Sequence, residues 1–72
     1  MKNIYYTLSN FHKAVKRNKP QKVYFDDISD EFWFFTQKAI INFSANNSKE
    51  SDLLRNWLSL NGVDSIEWSS AR

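Results

Sequence analysis

Four carboxylates crowd one short stretch of the chain: Asp26, Asp27, Asp30 and Glu31. They are the densest set of groups that could hold a cation or move a proton. A hard cation needs several oxygens converging on one point, usually from a loop that glycine allows to turn sharply. The lone glycine is Gly62, far from this stretch, and the ligand spacing of a calcium-binding loop is absent. The acids are better explained as a strand end followed by the start of a helix, whose positive dipole end favours them. His12 is the only histidine and there is no cysteine, so none of the familiar zinc ligand sets can be built. A single glycine also excludes a nucleophile elbow and a phosphate-cradling loop. The sequence therefore points to no catalytic residue, no cofactor and no metal, and the chain is read as non-enzymatic.

The second group is basic. Lys2, Lys13, Lys16, Arg17, Lys19 and Lys22 all precede the first acid, and all 8 acidic residues follow them. A net charge of +2 thus conceals a dipolar chain, able to steer a charged partner onto one face. On a helix, Lys13, Lys16 and Arg17 stand three or four residues apart and share a face, with Lys19 and Lys22 following in the turn. Phosphates could lie across such a stripe, and Tyr5 and Tyr24 could stack single-stranded bases beside it. Cations at a helix C-terminus also serve simply to offset its dipole.

The third group is aromatic: 6 Phe, 3 Tyr and 3 Trp in 72 residues. Phe11, Phe25, Phe35, Phe43, Trp57 and Ile66 suffice for a core of this size. Tyr5, Tyr6, Tyr24, Trp33, Phe34 and Trp68 then compete for the remaining interior. Trp33 and Phe34 adjoin the acidic stretch, where exposed aromatics would act as interface anchors.

The elements that must position these groups follow from periodicity. Residues 3–8 alternate like a strand. Ser9 stands as the N-cap of a helix carrying Phe11, Ala14 and Val15, which ends near Asn18 because Pro20 disfavours helix at Lys19. Lys22–Asp26 reads as a second strand. Residues 29–45 fit two patterns. As a helix, Ser29 caps it and Phe32, Phe35, Ala39, Ile40 and Phe43 form a stripe. As a long strand, Trp33, Phe35, Ala39, Ile41 and Phe43 share a face. The cap and acidic first turn favour helix. A further helix, capped by Ser48 or Ser51, carries Leu53, Leu54, Trp57 and Leu58, and Asn61-Gly62 stops it. Val63–Trp68 forms the last strand, with Ile66 and Trp68 on one face.

The expectation is one α+β domain over residues 1–68 with a frayed tail at 69–72. A three- or four-stranded sheet is covered on one face by two or three helices. The order is β-α-β-α-α-β, or β-α-β-β-α-β, ferredoxin-like, if 29–45 is a strand. The longest apolar run is Phe32–Phe35, far short of the roughly 20 residues that span a bilayer. The opening residues lack the apolar stretch of a secretory signal, so the glycosylation sequons at Asn42 and Asn46 read as coincidental and the chain as cytoplasmic.

In function the chain is read as a small protein-interaction module. It would be a regulator or inhibitor occupying a surface of a larger protein, of the kind that phages and mobile elements encode against host defences. Asp26, Asp27, Asp30 and Glu31 would steer a partner with a basic surface, and Trp33 and Phe34 would anchor it. The alternative is a nucleic-acid-binding regulator that uses Lys13, Lys16, Arg17, Lys19 and Lys22. Self-association through sheet edges stays open.

Overall fold

The computed structural model describes residues 2–67, and the side chains from Tyr6 onward. The order is β1 (Lys2–Tyr5), α1 (Leu8–Asn18), β2 (Lys22–Asp26), β3 (Glu31–Phe35), β4 (Ala39–Ser44), α2 (Ser48–Leu60) and β5 (Asp64–Glu67). The strands form one mixed sheet in the order β1-β4-β3-β2-β5. The β1–β4 and β2–β5 pairs are parallel, and β3 runs antiparallel to both its neighbours. The α+β class stands, with five strands rather than three or four, and with two helices, the lower of the two numbers expected. The expectations for Trp68, for the tail at 69–72 and for the side chains of Ile4 and Tyr5 lie outside the described residues.

Both helices belong to crossovers that carry the chain the same way across the sheet, β1 to β2 and β4 to β5. The right-handed rule for such connections therefore sets them on the same face. The core shows this directly. Phe11 of α1 packs edge-on against Phe34, with ring centroids 5.7 Å apart, and tilted against Phe43 at 5.8 Å. Leu54 and Leu58 of α2 join the same cluster as Val23, Phe25, Phe32, Phe34, Ile41 and Phe43. Arg55 of α2 lays its guanidinium over the Phe25 ring at 4.9 Å and pairs with Asp52.

The favoured helix over 29–45 is not formed. Two strands and a tight turn occupy it, and the strand pattern changes phase at the turn. Thr36 organises the reversal. Its Oγ1 accepts from the backbone N–H of Ala39 at 2.9 Å, and its own N–H donates to the Ala39 carbonyl at 2.8 Å. Phe35 then pairs with Ile40 and Phe34 with Ile41, so odd-numbered residues of β3 oppose even-numbered residues of β4. A single unbroken strand would have kept 33, 35, 41 and 43 on one side. The turn instead sends Phe32, Phe34, Ile41 and Phe43 inward, and Trp33, Phe35, Ile40 and Asn42 outward.

The caps also differ from expectation. Thr7, not Ser9, caps α1, accepting from Asn10 N–H at 3.3 Å. Asn47, not Ser48 or Ser51, caps α2, its Oδ1 accepting from Glu50 N–H at 2.9 Å. Ser51 is buried on the inner side of α2 instead. The ends of α1 and α2 fall as read: α1 stops at Asn18, with Lys19 in the left-handed region (φ 48°), and Gly62 takes φ 75° after α2.

Candidate protein-interaction surface

The sheet has a second face, and among the described residues no element packs across it. Strand alternation places Tyr24 of β2, Trp33 and Phe35 of β3, Ile40 and Asn42 of β4, and Ile66 of β5 there. Cross-strand pairing brings them together, since Tyr24 lies opposite both Trp33 and Ile66, Trp33 opposite Asn42, and Phe35 opposite Ile40. The Tyr24 and Trp33 rings stack with centroids 6.5 Å apart, and Phe35 meets Tyr24 edge-on at 5.7 Å. Phe35 is 47% exposed and Ile66 36%. These are two residues assigned to the core from periodicity, and the phase change at Thr36 and the short edge strand β5 put them outside it.

The acidic group borders this face at one end. Asp26 pairs with Glu31 across β2 and β3, one pleat beyond Tyr24 and Trp33 and on the same side of the sheet. The turn between them holds Asp27 and Asp30, with Asp30 in the left-handed region (φ 55°). Asp26 does not serve as a steering charge: it is 6% exposed, and its Oδ1 accepts the Ile28 N–H at 2.9 Å to close the turn. Asp27 is exposed, Asp30 and Glu31 are half-buried, and Glu31 accepts from Ser44 Oγ at 3.4 Å. Phe34 cannot anchor a partner. It is 1% exposed at the centre of the core, pointing away from Trp33 as strand geometry requires. Among the described residues, no three His, Asp or Glu side chains are placed to hold a metal ion.

The basic residues do not gather on the open face. Lys13 and Arg17 border a hollow of about 270 Å³ with Tyr6, Asn10 and Asn18. Lys16 and Lys19 border another with Pro20 and Gln21. Lys22 stands at the start of β2 opposite Asp64, on the open side of the sheet. Tyr24 is thus on the opposite face from the α1 cations, and one strand of nucleic acid lying on α1 could not stack on it.

Sequence reasoning missed a groove on the helical side. It measures about 410 Å³ and is lined by Leu8, His12, Lys49, Leu53 and Trp57 among others. His12 stacks on Trp57 with centroids 3.9 Å apart and planes 15° from parallel. Burial, and secondarily the neighbouring Lys16, hold its pKa below the ordinary 6.5. The signal was present, since His12 follows Leu8 by one helical turn, but nothing in a lone histidine says which helix it will meet.

Compared with protein-family models, curated proteins and solved structures, the chain matches none.

Proposed function

We propose that this chain is a small non-enzymatic protein-interaction module, a cytoplasmic regulator or inhibitor that occupies a surface of a larger protein through the open face of its sheet. One observation carries this reading. A sheet whose other side carries the core cluster presents exposed Phe35 and Ile66 together with half-buried Tyr24, Trp33 and Ile40 on a side where, among the described residues, no element packs. Contiguous exposed apolar groups bounded by charge are what interaction sites look like, and aromatic anchors supply most of the binding free energy at such sites. Asp27, Asp30 and Glu31 at one end give the surface a sign, and a partner with basic residues flanking an apolar patch complements it.

The test uses three folded variants beside wild type, with a partner identified from nuclease-treated lysate and then purified. Trp33→Ala, and Asp27→Lys combined with Asp30→Lys, should each weaken binding of the purified partner by at least about tenfold. Lys16→Glu combined with Arg17→Glu should leave it unchanged. The reverse pattern would overturn this reading.

The hollow beside Lys13 and Arg17, with Tyr6 at its wall, favours a second reading as a nucleic-acid-binding regulator. Salt separates the two. Phosphate binding on duplex DNA weakens with a log–log slope of about 0.9 per neutralised phosphate, and Arg17→Glu would lower that slope.

A further inference from the structure

Asn42 sits at the middle of the open face, opposite Trp33. It is 8% exposed. Its Nδ2 donates to the Phe32 carbonyl at 3.1 Å, which fixes the orientation of the amide, because the reversed amide would set oxygen against oxygen. Its Oδ1 is then buried and, among the described residues, has no donor. Leaving a buried acceptor unpartnered is unfavourable, and this one belongs to the open face, opposite Trp33, rather than to the core cluster.

Three chemistries meet within one pleat of Asn42. Trp33 lies directly opposite, stacked on Tyr24. Glu31, two residues before Trp33 on the same side of β3, brings a carboxylate to the diagonal position. Direct and diagonal neighbours on a sheet face are close enough for one extended side chain to touch all three. An aromatic platform, an acid and an unpartnered amide oxygen are the complement of one group above others. A guanidinium is planar and stacks on aromatic faces, carries a fixed fork of five N–H donors, and has no acceptor to be left unsatisfied. An ammonium is a compact, strongly hydrated point charge that matches the acid but not the platform.

We propose that the open face is an arginine receptor: the partner inserts an arginine side chain over Trp33 and Tyr24, donating to Asn42 Oδ1 and to the Glu31 carboxylate, while Asp27 and Asp30 hold neighbouring cations. The proposal rests on the interaction-module reading and names its partner's chemistry, a protein surface that presents arginine beside apolar residues. Because the Asn42 oxygen is covered in the free protein, binding requires the neighbouring side chains on the pleat to part.

The test is an NMR titration of the ¹⁵N-labelled chain with a short arginine-rich peptide, and with a lysine-rich peptide of equal length and charge. The arginine peptide should shift the Trp33 indole N–H and the Asn42 side-chain amide saturably, and bind about tenfold tighter than the lysine peptide. Asn42→Leu should remove that preference. Glu31→Gln, which keeps the side-chain shape and spares the fold if Asn42→Leu does not, should weaken both peptides and leave the arginine one the tighter, because the aromatic platform and the Asn42 oxygen remain. Equal binding of the two peptides would overturn the proposal, as would shifts confined to α1 or to the His12 groove. So would concentration-dependent shifts of this face without peptide, together with a sedimenting dimer, because a second copy would then be its occupant. If the arginine peptide fails while Trp33→Ala still releases the purified partner, the interaction module stands with a partner of other chemistry. If both fail, the module reading falls as well.

Discussion

At the residue scale, His12 is a titrating group that the fold perturbs. Its ring is held against Trp57 and shares a groove with Lys49 and Glu50, while Lys16 lies one helical turn on. Burial first, and Lys16 second, disfavour its charged form. In the unfolded chain the same imidazole titrates near 6.5. On acidification the unfolded state therefore takes up its proton first, and stability falls as pH drops below about 6.5, levelling off once the folded-state pKa is passed. Thermal melts between about pH 8 and 5 should show this decline, and His12→Gln should flatten it. Lys16→Gln removes the second cause and should move the His12 midpoint, followed by its ring-proton shifts, part of the way back toward 6.5. A second residue-level prediction concerns Asn47. Its Oδ1 accepts from Glu50 N–H, while the Glu50 carboxylate accepts from the N–H of Asn46, the residue before the cap, at 3.4 Å, so two backbone donors at the start of α2 are satisfied by side chains. Asn47→Ala should destabilise the protein by about 1 kcal/mol in a denaturant melt.

At the element scale, the hairpin of β3 and β4 decides which aromatics hold the fold and which face outward. Phe34→Ala empties the centre of the core and should cost about 3–5 kcal/mol. For 72 residues, that is a large share of a total stability of roughly 0.05–0.15 kcal/mol per residue. Trp33→Ala, one residue earlier on the opposite side, removes a half-buried ring and should cost less, about 1–2 kcal/mol. Chemical denaturation of the two variants checks the order, and a reversal would mean that the hairpin register is wrong. This hairpin was also where the sequence misled. Alternation in Lys22–Asp26 and the apolar spacing of α1 and α2 placed those elements nearly to the residue, because one strong periodicity ran through each. Between residues 29 and 45 the helical stripe and the strand pattern overlapped. The information that separates them lies in Thr36, whose hydroxyl closes the turn through bonds to Lys38 and Ala39. A threonine in mid-pattern carries no such signal until its partners are known. Phe34 was assigned to the surface and Phe35 to the core for the same reason: the phase of the pattern was read through a turn that shifts it. The acidic end of the site was legible as a cluster of like charges, whereas the aromatic band depends on four strands meeting in register.

At the scale of the whole molecule, the segregation of charge along the chain becomes segregation in space. Lys13, Lys16, Arg17 and Lys19 lie along α1 and the turn after it, on the helical side, while Lys22 begins β2 on the open side. Asp27, Asp30 and Glu31 lie at one end of the bare sheet, next to its aromatic band. Charges and rings then act on different steps of association. Exposed carboxylates act at long range, on the rate of encounter, and are screened by salt over about 8–10 Å at physiological strength. Aromatic anchors act only after water has left the interface, so they set how long the complex lasts. Kinetics with a purified partner, measured across a series of salt concentrations, should therefore divide along these lines. Rising salt, or Asp27→Lys with Asp30→Lys, should slow association and leave dissociation nearly unchanged. Trp33→Ala should speed dissociation and leave association, with its salt dependence, close to wild type. If the acidic variant instead altered only dissociation, those carboxylates would be buried contacts within the complex rather than steering charges. If Trp33→Ala slowed association alone, the aromatic band would shape the free protein and not grip the partner. The second result would move the interface off the open face and toward the α1 side, where the opposite sign of charge predicts that Lys16→Glu with Arg17→Glu carries the salt dependence.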